Sequence, residues 1–299
     1  MKILIHYRHF PVAMGKYFDW AFRDLGHEVF SVGCYNGDRI PWGEEYRFPE
    51  YDNPPDLVIP EMEAYPMEEV LKLAPWTPDV IVQASDTTYL SGPAPCPNVI
   101  LATDPHCIDY NPRLVHATHF ACMQSNYMQK YSFEKKFWVP YAYYEGIHIR
   151  LNLENKYDVV FIGLQYEHRK AAIEGMKSKG YKVFSELGHL FDEYNRIYNE
   201  GKIAFNWSSL EDTPARFWEG MAMGRCLITN ETPDMALLPF KAYEHYIPFK
   251  TVDQAVDAVR WALQDDHYLS IAENGYNAVT TGKNKYQDRC QQILEEVFK

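Results

Sequence analysis

Hydrophobic positions along the chain fall into short unbroken runs, separated by longer stretches in which apolar residues return every three or four positions. That alternation predicts buried strands interleaved with amphipathic helices. The first run, KILIH at 2–6, is followed by a loop holding Gly15 and then by Phe18, Ala21, Phe22 and Leu25 on one helical face. GHEVFSVG then supplies a turn and a second strand. Further runs stand at DLVI (56–59), DVIVQ (79–83), NVILA (98–102) and HFACM (119–123), with turn residues between them. Strand, loop, helix, strand in that order predicts a doubly wound α/β sheet with parallel strands.

The pattern breaks at Pro140, within WVPYAYYEGIH (138–148), and passes through the polar RLNLENK before YDVVFIG (157–163) opens a second series. A helix from about 167 to 179, the strand YKVF, a helix from about 190 to 199, the strand IAFNW (203–207), a further helix, the strand CLIT (226–229) and a final run of helices follow. The expected division is 1–145 and 146–299, each half opening with strand, loop and helix. Two facing Rossmann-like domains with a cleft between them are the expected architecture. In KNKYQDRCQQILEEVFK, Tyr286, Cys290, Ile293, Leu294 and Val297 share one helical stripe, so a helix over about 283–298 must dock, and the N-terminal domain is its expected partner.

Composition narrows the function. The 299 residues suit two domains, and the aromatic fraction of 15%, with 23 Tyr, can line a wet cleft as well as a core. No apolar run approaches bilayer length, and MKILIHYRHF meets His6, Arg8 and His9 too soon for a signal peptide, so a cytoplasmic enzyme is expected. Six Cys without a C-x-x-C pair read as reduced thiols, with neither a disulfide framework nor a zinc site. A net charge of −12 opposes broad electrostatic binding to nucleic acid, while leaving room for a local basic groove around FEKKFW or GKNK. No D-x-D motif stands in a loop position, and no obligatory metal is expected.

Chemistry concentrates in EDTPARFWEGMAMGRCLITN (211–230). Thr213 suits a helix N-cap, Pro214 the first helical position and Gly224 the helix end, predicting a helix over about 214–223. Phe217, Trp218, Met221 and Ala222 take one side; Arg216, Glu219, Gly220 and Met223 take the other, where Gly220 leaves room for something to approach. A helix start at the carboxyl end of a strand binds anions, and two flanking carboxylates, Glu211 and Glu219, accept hydrogen bonds from sugar hydroxyls. Diphosphate plus sugar points to a nucleotide sugar. The competing account is a surface Arg216–Glu219 ion pair, contributing a few tenths of a kcal/mol.

EDTPARFWE with its continuation resembles the E-x7-E signature of GT-B glycosyltransferases. More closely, ILATDPHCIDYN (100–111), CMQSNYMQKYSFEKKFWVPYAYYEGIH (122–148), VVFIGLQYEHRKAAIEGM and IAENGYNAVTTGKNKYQDRCQQIL (271–294) resemble the CgeB-like, or spore-maturation-protein-like, glycosyltransferases. The resemblance covers most of the chain from about residue 98. It implies an N-terminal acceptor-side domain and a C-terminal donor domain, with Glu219 on the donor ribose and Glu211 on the transferred sugar. Arg216 and Arg169 would neutralise the diphosphate, with Gly163 and Thr213 lining the same donor site. The E-P-F-G start of commoner relatives is replaced by EDTP, which weakens the Glu211 assignment more than that of Glu219.

Asp104 and His106, in the D-x-H of TDPHC, match a recurrent pair placed for the acceptor; either could be a general base in an inverting reaction, and neither is needed in a retaining one. A helix cap with a satisfied histidine is the plainer account of them. His6, Arg8 and His9 face the expected cleft or serve structure. His189, in SELGHL, is placed by topology near the nucleobase. The resulting expectation is a metal-independent, retaining transfer of a hexosyl or related sugar from a UDP-sugar to an acceptor hydroxyl, with no cofactor. Saccharide is the favoured acceptor and a hydroxymethylated DNA base the less favoured one. A GT-B sugar-nucleotide epimerase and a non-catalytic sugar-nucleotide binding protein are the alternatives. Oligomeric state is left open.

Overall fold

The computed structural model describes residues 1–40, 43–48, 51–84, 87–208 and 210–299, with 43–46 as backbone only. The chain forms two compact units, Met1–Pro140 with Tyr286–Lys299, and Tyr141–Lys285. The division falls after Pro140, ahead of the residue 145 expected from the hydrophobic pattern.

In the first unit seven strands, β1 (Lys2–His6), β2 (Glu28–Gly33), β3 (Leu57–Val58), β4 (Val80–Gln83), β5 (Asn98–Ala102), β6 (His119–Cys122) and β7 (Lys136–Trp138), form a parallel sheet in the order β7-β6-β5-β4-β1-β2-β3. Every residue of β4, β5 and β6 is buried, as parallel strands covered on both faces require. Helix α1 (Gly15–Asp24) buries Phe18, Ala21 and Phe22. Two short helices follow, α2 (Met67–Leu73) and α3 (Ser125–Met128).

In the second unit, five strands, β8 (Tyr157–Ile162), β9 (Val183–Glu186), β10 (Gly201–Asn206), β11 (Cys226–Asn230) and β12 (Tyr246–Phe249), form a parallel sheet in the order β9-β8-β10-β11-β12. The sequence pattern leaves β12 inside a final run of helices. Its four residues include Pro248, which discourages a strand assignment, and Pro is tolerated here because β12 is an edge strand. Helices α4 (Glu167–Ser178), α5 (Phe191–Asn199), α6 (Arg216–Ala222), α7 (Val252–Leu263) and α8 (His267–Thr281) belong to this unit. Val159, Phe161, Ile203, Phe205, Ile228 and Val259 are among its core residues.

The last helix, α9 (Tyr286–Val297), lies in the first unit. Tyr286, Cys290, Ile293 and Val297 are buried, and the Tyr286 ring stacks on Tyr17 at 5.0 Å. The Arg289 Nε donates to the Pro140 carbonyl at 2.9 Å, while Leu294 stays only partly buried.

Helix α6 departs from its expected design. It begins at Arg216, its N-cap position is Ala215 without a side-chain cap bond, and the Thr213 hydroxyl instead meets the Thr232 hydroxyl. Phe217 through Ala222 and then Met223 are all buried, so there is no open polar face. Gly220 lets the helix approach the sheet rather than a ligand: a Cβ there would lie 2.9 Å from the Ala204 Cβ. Gly224, at φ +68°, does end the helix in the left-handed conformation expected of a C-terminal glycine.

Candidate functional site

Chain order reverses between β8 and β10, and the loops leaving the carboxyl ends of these two strands part there. Such a switch point is where open α/β sheets bind ligands. The β8 loop, starting at Gly163, leads into α4; the β10 loop, starting at Trp207, leads into α6.

Arg169 and Arg216 tie the two strand ends together. From α6, the Arg216 Nη2 donates to the Ile162 carbonyl at 2.6 Å and its Nη1 to the Asn206 Oδ1 at 3.0 Å. From α4, the Arg169 Nε donates to the Trp207 carbonyl at 2.6 Å and its Nη1 to the Leu164 carbonyl at 2.9 Å. Both guanidiniums lie over the Phe161 ring, at 5.5 Å for Arg169 and 4.9 Å for Arg216.

All four hydrogen-bond acceptors are neutral. Among the described residues neither arginine forms a salt bridge, and the Arg216 Nε is enclosed without a partner. Burial lowers the Arg169 pKa to about 10, and the neighbouring Arg216 charge adds to that effect. Burial also opposes the charge of Arg216, yet Tyr198, Tyr194 and Glu219 outweigh it and raise its pKa. Both side chains are cations at neutral pH. Gly163 makes this packing possible, since at φ +151° its absent Cβ would fall 2.7 Å from the Arg216 Nη2.

Glu219 does not pair with Arg216. Its Oε2 accepts from the Tyr194 hydroxyl at 2.7 Å, and its Oε1 lies 3.4 Å from the His148 Nε2. The backbone N–H of Tyr144 donates to the His148 Nδ1 at 3.0 Å, so the neutral ring carries its proton on Nε2, facing Glu219. Burial, followed by the Glu219 charge, holds the Tyr194 hydroxyl well above the usual phenol range. A carboxylate has about four lone-pair positions. Glu219, 8% exposed, therefore keeps acceptor capacity beyond these two partners.

The other expected site residues are more scattered. Glu211 is exposed at φ +58° in the loop before α6, and Thr213 is buried against Thr232. His189 lies between Glu186 at 2.9 Å and Glu193 at 3.0 Å; burial lowers its pKa, but those carboxylates prevail and raise it. In the first unit, Asp104 and His106 follow β5, with the Asp104 Oδ1 3.9 Å from the His106 Nε2. The Asp104 Oδ2 accepts from the Thr103 hydroxyl at 3.0 Å, and the buried His106 Nδ1 has no hydrogen-bond partner. His6 and His9 are fully buried; burial is the main cause of pKa values lowered to about 3 and about 4. Arg8 pairs with Glu61 at 2.6 Å.

The sequence reading misses Tyr194, His148 and Asn206. Tyr194 and His148 carry no motif of their own, and only the tertiary fold brings them to Glu219. Asn206 has a signal in hindsight: it is a polar residue ending an apolar strand, IAFN, at a ligand-binding edge.

Residues 149–295 match the family model described as "Glycosyl transferase-like". No curated protein matches the sequence. HepE of Anabaena, solved in complex with UDP-glucose, is similar in fold at a TM-score of 0.67 and 10% identity, covering 99% of this chain and 98% of that one. An alpha-glucosyltransferase in complex with UDP and a 13-mer DNA containing an HMU base gives 0.66 at 11% identity, covering 100% of both chains. Sucrose-phosphate synthase from Thermosynechococcus elongatus gives 0.60 at 12% identity, covering 98% of this chain and 97% of that one. Among the described residues no helix is long and apolar enough to cross a membrane. The second half of the chain is thus similar to the glycosyl transferase-like family, and the chain as a whole shares the two-domain α/β fold of these glycosyltransferase structures.

Proposed function

We propose that the chain transfers a sugar from a UDP-sugar to an acceptor hydroxyl, without a metal and with retention at the anomeric carbon. The carrying observation is the pair of cations at the β8/β10 switch point, Arg169 and Arg216, whose hydrogen-bond acceptors are all neutral. As the bond from the anomeric carbon to the phosphate oxygen breaks, negative charge grows on the diphosphate. Cations already held in place stabilise that charge with little reorganisation. They supply at this position what a divalent cation supplies in other enzymes.

In this reading Glu219 accepts hydrogen bonds from the ribose hydroxyls, and Tyr194 and His148 hold its carboxylate. Glu211 would contact the transferred sugar and His189 the nucleobase. Gly163 leaves room for Arg216, and Thr213 anchors the β10 loop through Thr232. This pairing of glutamates follows the E-x7-E pattern and the CgeB-like resemblance. On the first unit we assign Asp104 and His106 to the acceptor. In a retaining transfer the acceptor oxygen bonds to the anomeric carbon and its proton passes to the departing phosphate oxygen, so neither residue need act as a base. UDP is supported as the donor nucleotide by its presence in the HepE and alpha-glucosyltransferase complexes. Saccharide remains the favoured acceptor, since the net charge of −12 opposes DNA binding.

A thermal-shift panel of UDP-, GDP-, dTDP- and CMP-sugars tests the reading, because a ligand that binds only the folded state raises its melting temperature. The expected result is a shift with UDP-sugars that disappears in Glu219→Ala, together with loss of donor hydrolysis. Donor turnover intact in Glu219→Ala would refute the site.

A further inference from the structure

A second concave surface lies away from the arginines, along the outer edge of the second unit's sheet. Between the edge strand β12 and helix α7 is a cavity of about 810 Å³, within the ~300–1,000 Å³ typical of small-ligand sites. Two aromatic side chains stand in its wall. Tyr243 is 62% exposed and Trp261 38% exposed, and their rings meet edge to face at 6.0 Å and 84°. Tyr243 is also held at φ +61°, with its N–H donating to the Tyr246 carbonyl at 2.7 Å. A bulky residue in the left-handed region is a genuine outlier. This one gains no burial in return for its strain, and strain of that kind collects at binding surfaces.

We propose that this groove binds a neutral oligosaccharide. The apolar C–H face of a sugar ring packs on an aromatic ring, while its hydroxyls need acceptors and donors nearby. The groove offers both kinds of surface. Asp257 and Gln254 line it from α7, and Glu231 and Lys250 line it at the carboxyl end of the sheet. Its charges are matched: Glu231 lies 3.1 Å from Lys250 and Asp257 lies 2.7 Å from Arg260. That balance suits an uncharged ligand and gives a polyanion such as DNA no advantage. An added strand from another chain is disfavoured too, because Pro248 in the edge strand lacks a backbone N–H for pairing.

Holding a distal part of a saccharide acceptor is the groove's use, and this use rests on the transferase reading; the binding itself does not.

The test is calorimetry of the full chain with maltohexaose, cellohexaose, mannohexaose and N-acetylchitohexaose. Tyr243→Gly and Trp261→Ala serve as variants, the first removing the ring while suiting the left-handed backbone. At least one oligosaccharide should bind, and both variants should weaken it by roughly tenfold or more while leaving UDP-glucose hydrolysis unchanged. Binding of none of the four, or binding unaltered in both variants, would overturn the proposal. So would loss of self-association, or of binding to a 13-mer DNA, in the same variants in place of sugar binding. Failure of the wild-type chain to bind UDP-glucose with oligosaccharide binding intact would sink the transferase reading and support the groove.

Discussion

At the carboxyl end of the first sheet, His6 and His9 are buried as neutral rings, and the nearby Arg8 charge is met by Glu61 at 2.6 Å. At the carboxyl end of the second sheet, Arg169 and Arg216 remain charged and donate to carbonyl and amide oxygens. The two sheets share a parallel, doubly wound plan, so the contrast is one of chemistry rather than topology. A guanidinium does not lose its proton on burial as an imidazole does. The two charges repel, since the Arg216 charge helps lower the Arg169 pKa, and an anionic ligand would relieve that repulsion.

The largest expected effect comes from removing the cations. Arg169→Ala and Arg216→Ala should each lower turnover with a UDP-sugar by about 10²–10³-fold, the scale of losing one preorganised electrostatic contact. Arg216→Lys should recover little, since one ammonium cannot reproduce the forked contact with Ile162 and Asn206. Steady-state kinetics would show it, and turnover near wild type in either alanine variant would erase the contrast between the two sheets.

Gly163→Ala should come next. It combines an unfavourable φ of +151° with a Cβ placed 2.7 Å from the Arg216 Nη2. About 2–3 kcal/mol of stability should be lost, with weaker donor binding as the guanidinium moves. Urea unfolding alongside donor titration separates the two effects.

On the first unit the contrast predicts a dependence on pH. His6 has a folded pKa lowered to about 3, against an ordinary value of 6.5. Between those values the unfolded chain binds the extra proton, so stability rises with pH through the window and falls on acidification. From pH 7 to pH 5 His6 should contribute a loss of up to about 2 kcal/mol. His9, lowered to about 4, acts with the same sign. Thermal unfolding of His6→Gln should therefore show a flatter pH dependence than the wild type; identical slopes would mean that His6 is not buried neutral.

The smallest effect expected is that of Tyr194→Phe. It removes the 2.7 Å hydrogen bond to the Glu219 Oε2. The cost should be about 1 kcal/mol, read as a roughly fivefold rise in KM for the donor with little change in kcat. An unchanged KM would detach Glu219 from the donor site.

The alternation of apolar runs was enough to foresee the two parallel sheets, because strands buried on both faces write their burial directly as uninterrupted hydrophobic residues. Strand β12 was hidden by its brevity and by Pro248, which is acceptable only at a sheet edge that the sequence does not mark. Helix α6 misled in a different way. Arg216, Glu219 and Gly220 looked like an open polar face, but Gly220 packs on Ala204, Arg216 reaches back to the end of β8, and Glu219 is enclosed by Tyr194 and His148. Helical periodicity can report which residues share a side, not how deeply that side is covered. Charges at the start of a helix after a strand were legible; the partners that orient them were not, since those contacts are made only by the folded sheet.

Calorimetric titration of UDP-glucose into the wild-type chain and into Arg216→Ala tests the central claim most directly. The account predicts a single saturable site in the wild type and its loss in the variant, with the variant still folded by circular dichroism. Equal binding by both proteins, or none by the wild type, would contradict the assignment of the β8/β10 switch point to a nucleotide-diphosphate sugar.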